Sequence, residues 1–229
     1  MKSFLIIGLG NFGKTMALTL AENGHQVQVI DVDVEKIDEI GDKVVSAICG
    51  DATNESVLHS AGVNNFDCCV VCLKSSMQDS ILTTLLLKEM GANRIVARAV
   101  SEHHKKILLK LGADLVVFPE KDMGQRLALT LAQNDVLEYF NLSDKFSIVE
   151  IKVPKKWVGH SIKELEIRKK YGVNVIATSD ASQNFEIFTD PERIFREDEK
   201  IVIVGNNDDI EKLTKQNTIK FEVSFNESD

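Results

Sequence analysis

The segment Phe4-Leu-Ile-Ile-Gly-Leu-Gly-Asn-Phe-Gly13 limits what this chain can fold into more than any other stretch. A short apolar strand runs into Gly-x-Gly-x-x-Gly, formed by Gly8, Gly10 and Gly13, and a helical pattern follows. Val27-Gln-Val-Ile-Asp31 then reads as a second strand with an acidic tip. In this context the glycine pattern binds an adenine nucleotide. The first glycine allows the tight turn, the second lets a pyrophosphate approach the backbone, and the third lets the helix pack on the strand. Free N–H groups at the helix start, around Asn11, Phe12 and Gly13, hold phosphate oxygens. Asp31, with Val32 beside it, accepts from ribose hydroxyls and repels a 2′-phosphate, which disfavours NADP. NAD, AMP, ADP and ATP all remain. Asp33 reads as a helix cap rather than a ligand.

The first half of the chain alternates strand and helix signals. Apolar runs at Phe4–Ile7, Val27–Ile30, Val44–Ile48, Cys68–Leu73, Arg94–Ala97 and Leu115–Phe118 are separated by helical patterns at Phe12–Asn23, Val34–Ile40, Glu55–Ala61, Met77–Met90 and Glu102–Leu111. Continuous apolar strands between helices predict an α/β fold, a doubly wound parallel sheet covered on both faces. Gly24, Gly41, Gly62, Gly91 and Gly112 each follow a helical run, and Asp33 and Ser101 precede one as N-caps. Gly50-Asp51-Ala52-Thr53 follows the third strand and borders the adenine side of the crevice. Leu73, Lys74 and Ser75 end the fourth strand and face the same crevice. Arg98 ends the fifth strand, as a phosphate ligand or a surface ion pair.

Pro119-Glu-Lys-Asp-Met-Gly124 breaks the alternation, and a helix from about Met123 to Ala132 follows as a crossover helix, a dimer arm or a linker. From about Asn134 the pattern changes. Phe146–Val153 alternates as a half-buried strand, Ser161-Ile-Lys-Glu-Leu165 is a short capped helix, Val173–Thr178, Asn184–Phe188 and Lys200–Val204 are strands, and Asn207–Leu213 is a closing helix. The expected domains are 1–134, with the crossover helix from about 120, then a small α+β module at 135–218, and a polar tail at 219–229. A module of roughly 80 residues buries proportionally little surface, so a second copy is expected to complete its core.

Composition removes several classes of function. The 229-residue chain has a net charge of −8, which argues against a nucleic-acid binder, since that would need a basic stripe. No run of about 18 apolar residues exists to span a membrane. Met1-Lys2-Ser3 leads directly into the first strand without a signal peptide, so a cytoplasmic location is expected. Cys69-x-x-Cys72 resembles a metal or redox pair, but both residues lie in a buried-strand pattern and point to opposite faces. Cys49, Cys68, Cys69 and Cys72 are therefore read as core residues in a reducing compartment.

The Gly8–Gly13 loop, Asp31, Gly50-Asp-Ala-Thr53, the Leu82-Thr-Thr-Leu-Leu-Leu-Lys-Glu89 helix and Pro119-Glu-Lys-Asp-Met-Gly124 together resemble the RCK regulatory subunits of bacterial Ktr/Trk-type potassium uptake systems. The resemblance covers about residues 2 to 215. It implies a Rossmann domain, a crossover helix and a C-terminal RCK subdomain. It also implies a homodimer assembling into an octameric ring, peripheral at the inner membrane face beneath an integral-membrane potassium channel subunit. ATP/ADP or NAD(H) bound at the Rossmann site would change ring shape and gate ion flux. Glu120 matches an acidic residue that helps hold a divalent cation near the phosphates, Mg²⁺ or Ca²⁺. Asn11 stands where ATP-binding members commonly carry Arg; Lys74 could replace that charge, and otherwise NAD(H) or ADP is favoured. Ile162, Arg168, Asn174, Val175 and Pro191 resemble the region where some relatives bind cyclic di-AMP.

Two other functions compete with this one. A nicotinamide oxidoreductase needs an acid, base or metal near the nicotinamide. None of the five histidines (His25, His59, His103, His104, His160) sits at a strand's carboxyl end with a partner acid, so an enzyme is not expected. A nucleotide sensor for a potassium efflux system differs from the uptake reading only in its partner.

Overall fold

The computed structural model describes residues 1–74, 76–132, 136–143, 145–180, 184–187 and 190–215. Ser75, Phe188, the expected boundary at 134–135 and the tail from 219 lie outside the described residues. The chain divides into two compact units, Met1–Asp122 and the residues from Met123 onward.

The first unit runs β1 (Ser3–Ile7), α1 (Asn11–Glu22), β2 (Gln26–Asp31), α2 (Val34–Ile40), β3 (Ser46–Cys49), α3 (Glu55–Ala61), β4 (Cys68–Val71), α4 (Met77–Glu89), β5 (Ile95–Arg98), α5 (Glu102–Lys110) and β6 (Leu115–Val117). Its strands are all parallel, in the order β3-β2-β1-β4-β5-β6. This is the predicted doubly wound sheet. The strand order reverses between β1 and β4, which opens a crevice at their carboxyl ends. Both faces are covered, so successive residues of one strand enter different cores. Leu5 and Ile7 pack with Leu58, Leu87 and Leu108 of α3, α4 and α5, whereas Ile6 packs with Ala17 and Ile37 of α1 and α2. The same alternation separates Cys69 from Cys72, which lie in opposite cores as free thiols, whereas Cys49, expected in the core, is exposed at the end of the edge strand β3. Burial pushes the Cys69 and Cys72 thiols up to about 12, so neither supplies a thiolate at neutral pH.

Local sequence signals set most helix ends. Asp33, Asn54, Ser76 and Ser101 each accept a backbone N–H in the first turn of the following helix. Gly62 closes α3 in the left-handed region at φ 73°. Gly41 departs from its expected role: it stays right-handed at φ −52° and leads into a 3-10 turn over Gly41–Lys43. The third strand also starts later than predicted, at Ser46; Val45 before it is 71% exposed, with its N–H on the Val27 carbonyl at 2.9 Å.

Helix α6 (Pro119–Ala132) begins close to the domain estimate of about 120 and four residues before the Met123 start read from the apolar pattern. Pro119 does not interrupt the structure; it occupies the first helical position, where a missing N–H costs nothing and a fixed φ helps. The carbonyl of Phe118 accepts from Lys121 and Asp122.

The second unit holds β7 (Val136–Asn141), β8 (Phe146–Lys152), α7 (Ile162–Leu165), α8 (Ile167–Tyr171), β9 (Val173–Ser179), β10 (Phe185–Ile187), β11 (Lys200–Asn206) and α9 (Asn207–Lys215). The sheet order is β10-β9-β11-β8-β7, all antiparallel. Strand β7 and helix α8 were not anticipated. Ser161 and Glu164 form the expected capping box at α7. One sheet face carries Tyr139, Val149, Ile151, Ile201 and Ile203 into a core closed by Trp157, Phe195, Ile210 and Leu213. Among the described residues, no helix is long and apolar enough to cross a membrane.

Candidate nucleotide site

The three glycines of the β1–α1 loop are required for three different reasons. Gly8 turns the chain at φ 97°, with its N–H on the Ile30 carbonyl at 2.8 Å. A Cβ at Gly13 would lie 2.0 Å from the Gly8 carbonyl oxygen, so the third glycine lets the helix close on its own loop. A Cβ at Gly10 would meet no protein atom within 4 Å, so protein packing does not demand glycine there. What the absent side chain keeps open is the approach to the backbone of α1. Gly10 is also the N-cap of α1, where no side chain caps the helix and no acid occupies the first turn. The N–H groups of Asn11, Phe12 and Gly13 thus face the crevice at the positive end of the helix dipole.

Asp31, at the tip of β2, is 8% exposed. One carboxylate oxygen accepts from the Leu9 N–H at 2.5 Å and the other from the Asp33 N–H at 2.9 Å. The carboxylate therefore holds the glycine loop against β2 as well as presenting its remaining lone pairs to the crevice. Lys36 stands 3.8 Å from Asp31 and 3.1 Å from Asp33, and the Asp33 carboxylate holds its ammonium above the usual lysine range. On the far wall, Asp51 accepts from the Thr53 N–H at 2.9 Å and its hydroxyl at 2.7 Å. The backbone bond first, then the hydroxyl, keeps the Asp51 carboxyl below its ordinary value.

These residues line one cleft of about 230 Å³, bounded by Gly8, Gly10, Asp31, Val32, Ala52 and Leu73, with Lys36, Asp51, Lys74 and Asp79 supplying charge. Thr53 is not part of its lining; its hydroxyl is turned to Asp51. A second cleft of about 550 Å³ shares Gly10 and Lys74 with the first and continues over Asn11, Phe12, Thr15, Arg98 and Glu120. We call these the proximal and distal lobes of the crevice.

Arg98 is not a surface ion pair. It is 5% exposed, its guanidinium donates to Glu120, and it lies 5.9 Å from the Phe12 ring centroid. Burial alone would raise Glu120, but its own backbone N–H, the Arg98 guanidinium and the charge of Lys74 together hold it below the usual carboxylate range. Among the described residues, no three His, Cys, Asp or Glu side chains gather as a metal-binding set. Sequence reasoning passed over Lys36, Thr15, Asp79 and Thr83. The buried Thr83 hydroxyl donates to the Ala52 carbonyl at 3.3 Å and so fixes the loop after β3 from α4.

The five C-terminal residues fall differently. Ile162 and Val175 pack partly into the core of the second unit, whereas Arg168, Asn174 and Pro191 are exposed. A cleft in this unit is lined instead by Lys169, Lys170, Tyr171, Gly172, Asp209, Lys212 and Leu213.

Residues 4–119 match the TrkA-N domain family, and residues 146–217 match the TrkA-C domain family. The chain is 37% identical to Ktr system potassium uptake protein C of Bacillus subtilis over 217 residues, which covers 94% of this chain and 97% of that protein. The chain belongs to the TrkA-domain family of Ktr/Trk potassium uptake proteins. It is 38% identical to Ktr system potassium uptake protein A of the same organism, over 94% of this chain and 96% of the relative. Among solved structures, one described as the GsuK channel bound to NAD aligns with a TM-score of 0.67 at 19% identity, covering 95% of this chain. That likeness concerns the fold, and this chain spans only 40% of the GsuK chain's length.

The bonds at Asp31 lead to a prediction. Asp31→Asn keeps one acceptor oxygen but turns an NH₂ toward one of two backbone donors. Affinity for NAD is expected to fall by about tenfold or more, since a hydrogen bond to a charged group contributes roughly 1.5–3 kcal/mol. Affinity for NADP is expected to rise relative to NAD, because Lys36 then faces the 2′-phosphate without the carboxylate. Parallel calorimetric titrations check this, and an unchanged NADP/NAD ratio contradicts it.

Proposed function

We propose that this chain is a nucleotide-binding regulatory subunit controlling potassium transport through a Ktr/Trk-type membrane channel. Gly10 carries this reading: it is a glycine that no protein atom requires, at the uncapped start of α1, in one cleft with the braced carboxylate of Asp31. That is a phosphate cradle beside a ribose acceptor. The ligand is ADP/ATP or NAD(H). The relatives at 37% and 38% identity are potassium uptake proteins, which supports action by binding rather than by catalysis. His104, buried in the first turn of α5, accepts at Nδ1 from the Val100 N–H at 3.3 Å.

The partner is an integral-membrane potassium channel subunit, which would place this chain at the cytoplasmic face of the membrane. Assembly as homodimers within an octameric ring is supported by the second sheet. The face turned away from its core presents Phe140, Phe185 and Ile187 at 48%, 62% and 75% exposure, with Ile148 and Val202 beside them in register. Uncovered aromatic and β-branched residues on one sheet face suit a second copy. Cyclic di-AMP at Ile162, Arg168, Asn174, Val175 and Pro191 would bind where two such modules meet. Mg²⁺ or Ca²⁺ at Glu120 would draw its remaining ligands from nucleotide phosphates.

The experiment is mass spectrometry of small molecules released from the freshly purified protein, combined with potassium uptake in cells lacking the chain. Released NAD(H), ADP or ATP together with impaired uptake supports the reading. Absence of any nucleotide from protein that also fails to bind one in titration rejects it.

A further inference from the structure

The turn between α1 and β2 carries reactive chemistry that the nucleotide site does not use. Asn23-Gly24 is the only Asn-Gly pair in the chain, and both residues are exposed. Asparagine before glycine is the pair most prone to cyclise, because glycine has no side chain to shield the backbone nitrogen that attacks. Here the fold holds both reacting groups. Asn23 is the C-cap of α1, at φ −84° and ψ 13°, and its Nδ2 donates to the Thr19 carbonyl at 2.7 Å. The Gly24 N–H donates to the Ala21 carbonyl at 2.9 Å, and the His25 N–H to the Leu20 carbonyl at 3.1 Å. At that ψ the Gly24 nitrogen is turned away from the Asn23 Cγ. Gly24 sits at φ 77° with open space where a Cβ would be, so conformation rather than packing requires glycine there. The lock is thus a few hydrogen bonds in an exposed last helical turn, the part of a helix that frays first.

We propose that Asn23 is a deamidation site, gated by opening of the last turn of α1. In the opened turn the Gly24 nitrogen bonds to the Asn23 Cγ, the Cγ–Nδ2 bond breaks, and Nδ2 leaves as ammonia with the Gly24 amide proton. Water then adds to either carbonyl of the succinimide, leaving aspartate or isoaspartate at position 23. Neither step needs an oxidant or a second protein. The product cannot restore the cap. A carboxylate has no N–H for the Thr19 carbonyl, and it adds negative charge at the negative end of the helix dipole, where Glu22 already stands and no basic residue occupies the last turn. Isoaspartate also inserts a methylene into the backbone, which displaces Gly24 from the Ala21 carbonyl. The modification therefore turns a closed joint before β2 into an open one. The site lies at the opposite end of α1 from the glycine loop, so this proposal does not rest on the nucleotide reading.

The test follows the full chain in mildly alkaline buffer, folded and in urea, by tryptic peptide mapping. Cleavage after Lys14 and Lys36 releases residues 15–36, in which Asn23 is the only asparagine. In the folded chain this peptide is expected to gain the mass of an acid in place of an amide sooner than peptides carrying other asparagines, with isoaspartate among the products. Urea is expected to speed the conversion by about tenfold or more, because the turn no longer has to open first. A folded chain in which position 23 stays an amide, or in which another asparagine converts first, overturns the site. Equal rates in the folded and the urea-unfolded chain overturn the gate. Asn23→Ser removes the reacting amide; the same mass gain in residues 15–36 of that variant would place the change at Gln26 or Gln28 and overturn the assignment. In the converted chain, separated by its extra negative charge, amide exchange over residues 23–25 is expected to be faster than in the unconverted chain. Equal protection overturns the loss of the cap.

Discussion

Gly13→Ala is expected to abolish nucleotide binding and to destabilise the first unit. The new Cβ would sit 2.0 Å from the Gly8 carbonyl oxygen and 3.1 Å from the Cβ of Cys72. Neither neighbour can yield. Gly8 is held at φ 97° by its hydrogen bond to Ile30, and Cys72 is 2% exposed within the core beneath α1. Relief must therefore come from shifting the first turn of α1, the turn whose N–H groups form the cradle. Overpacking a core costs about 1–3 kcal/mol where side chains can adjust, and a clash with fixed backbone lies at or above the upper end. Gly10→Ala isolates the other half of the argument. Its Cβ meets nothing within 4 Å, so the melting temperature is expected to stay near that of wild type while nucleotide affinity is lost. Thermal melts and NAD or ADP titrations of the two variants decide the matter. Binding within about threefold of wild type in Gly13→Ala would show that the turn relaxes without cost to the cradle.

The contrast between these glycines also shows how much of the site could be read from the sequence. The fingerprint, Asp31 and the Gly50–Ala52 loop were legible because each is fixed by local chain geometry: a turn, a strand tip, a helix start. Lys36 and Thr83 were not. Lys36 follows Asp33 by one helical turn and reads as an ordinary cap-side cation until β2 brings Asp31 within 3.8 Å. Thr83 lies in a leucine-rich helix, and its acceptor, Ala52, comes from a distant part of the chain. Arg98 was identified by position, but its burial and its capture by Glu120 depend on residues 22 positions apart in the chain, which local patterns do not bring together.

The fold shows the same division. Parallel strands covered on both faces announce themselves as continuous apolar runs, and their helices by capping residues. Strand β7 escaped because it breaks the rule used to find half-buried strands. Tyr139 faces the core, but its outward neighbour Phe140 is also apolar and 48% exposed, which erases the alternation between them. The residue that hid the strand is one of those that leave the outer sheet face apolar. An exposed apolar sheet face is therefore hard to distinguish from a core in a single sequence.

Phe195→Ala is expected to unfold the second unit at a lower temperature while leaving the nucleotide site intact. Phe195 is 1% exposed and stacks on Trp157 at 5.9 Å between ring centroids, with Tyr171 on Trp157 at 5.1 Å. Removing a buried phenyl ring costs about 3–5 kcal/mol, against roughly 5–15 kcal/mol for a whole domain. For a unit of this size that lowers the transition by on the order of 15 °C or more. Trp157 is the only tryptophan in the chain, so its emission reports this unit alone. Among the described residues, the core cluster of the second unit runs from Tyr139 to Leu213, and those of the first lie between Leu5 and Val116. Affinity for NAD or ADP below the Trp157 transition is therefore expected to stay within about twofold of wild type. A Trp157 transition at the wild-type temperature would mean that the cavity collapses at little cost. Loss of nucleotide affinity in step with the Trp157 signal would mean that the two units fold as one.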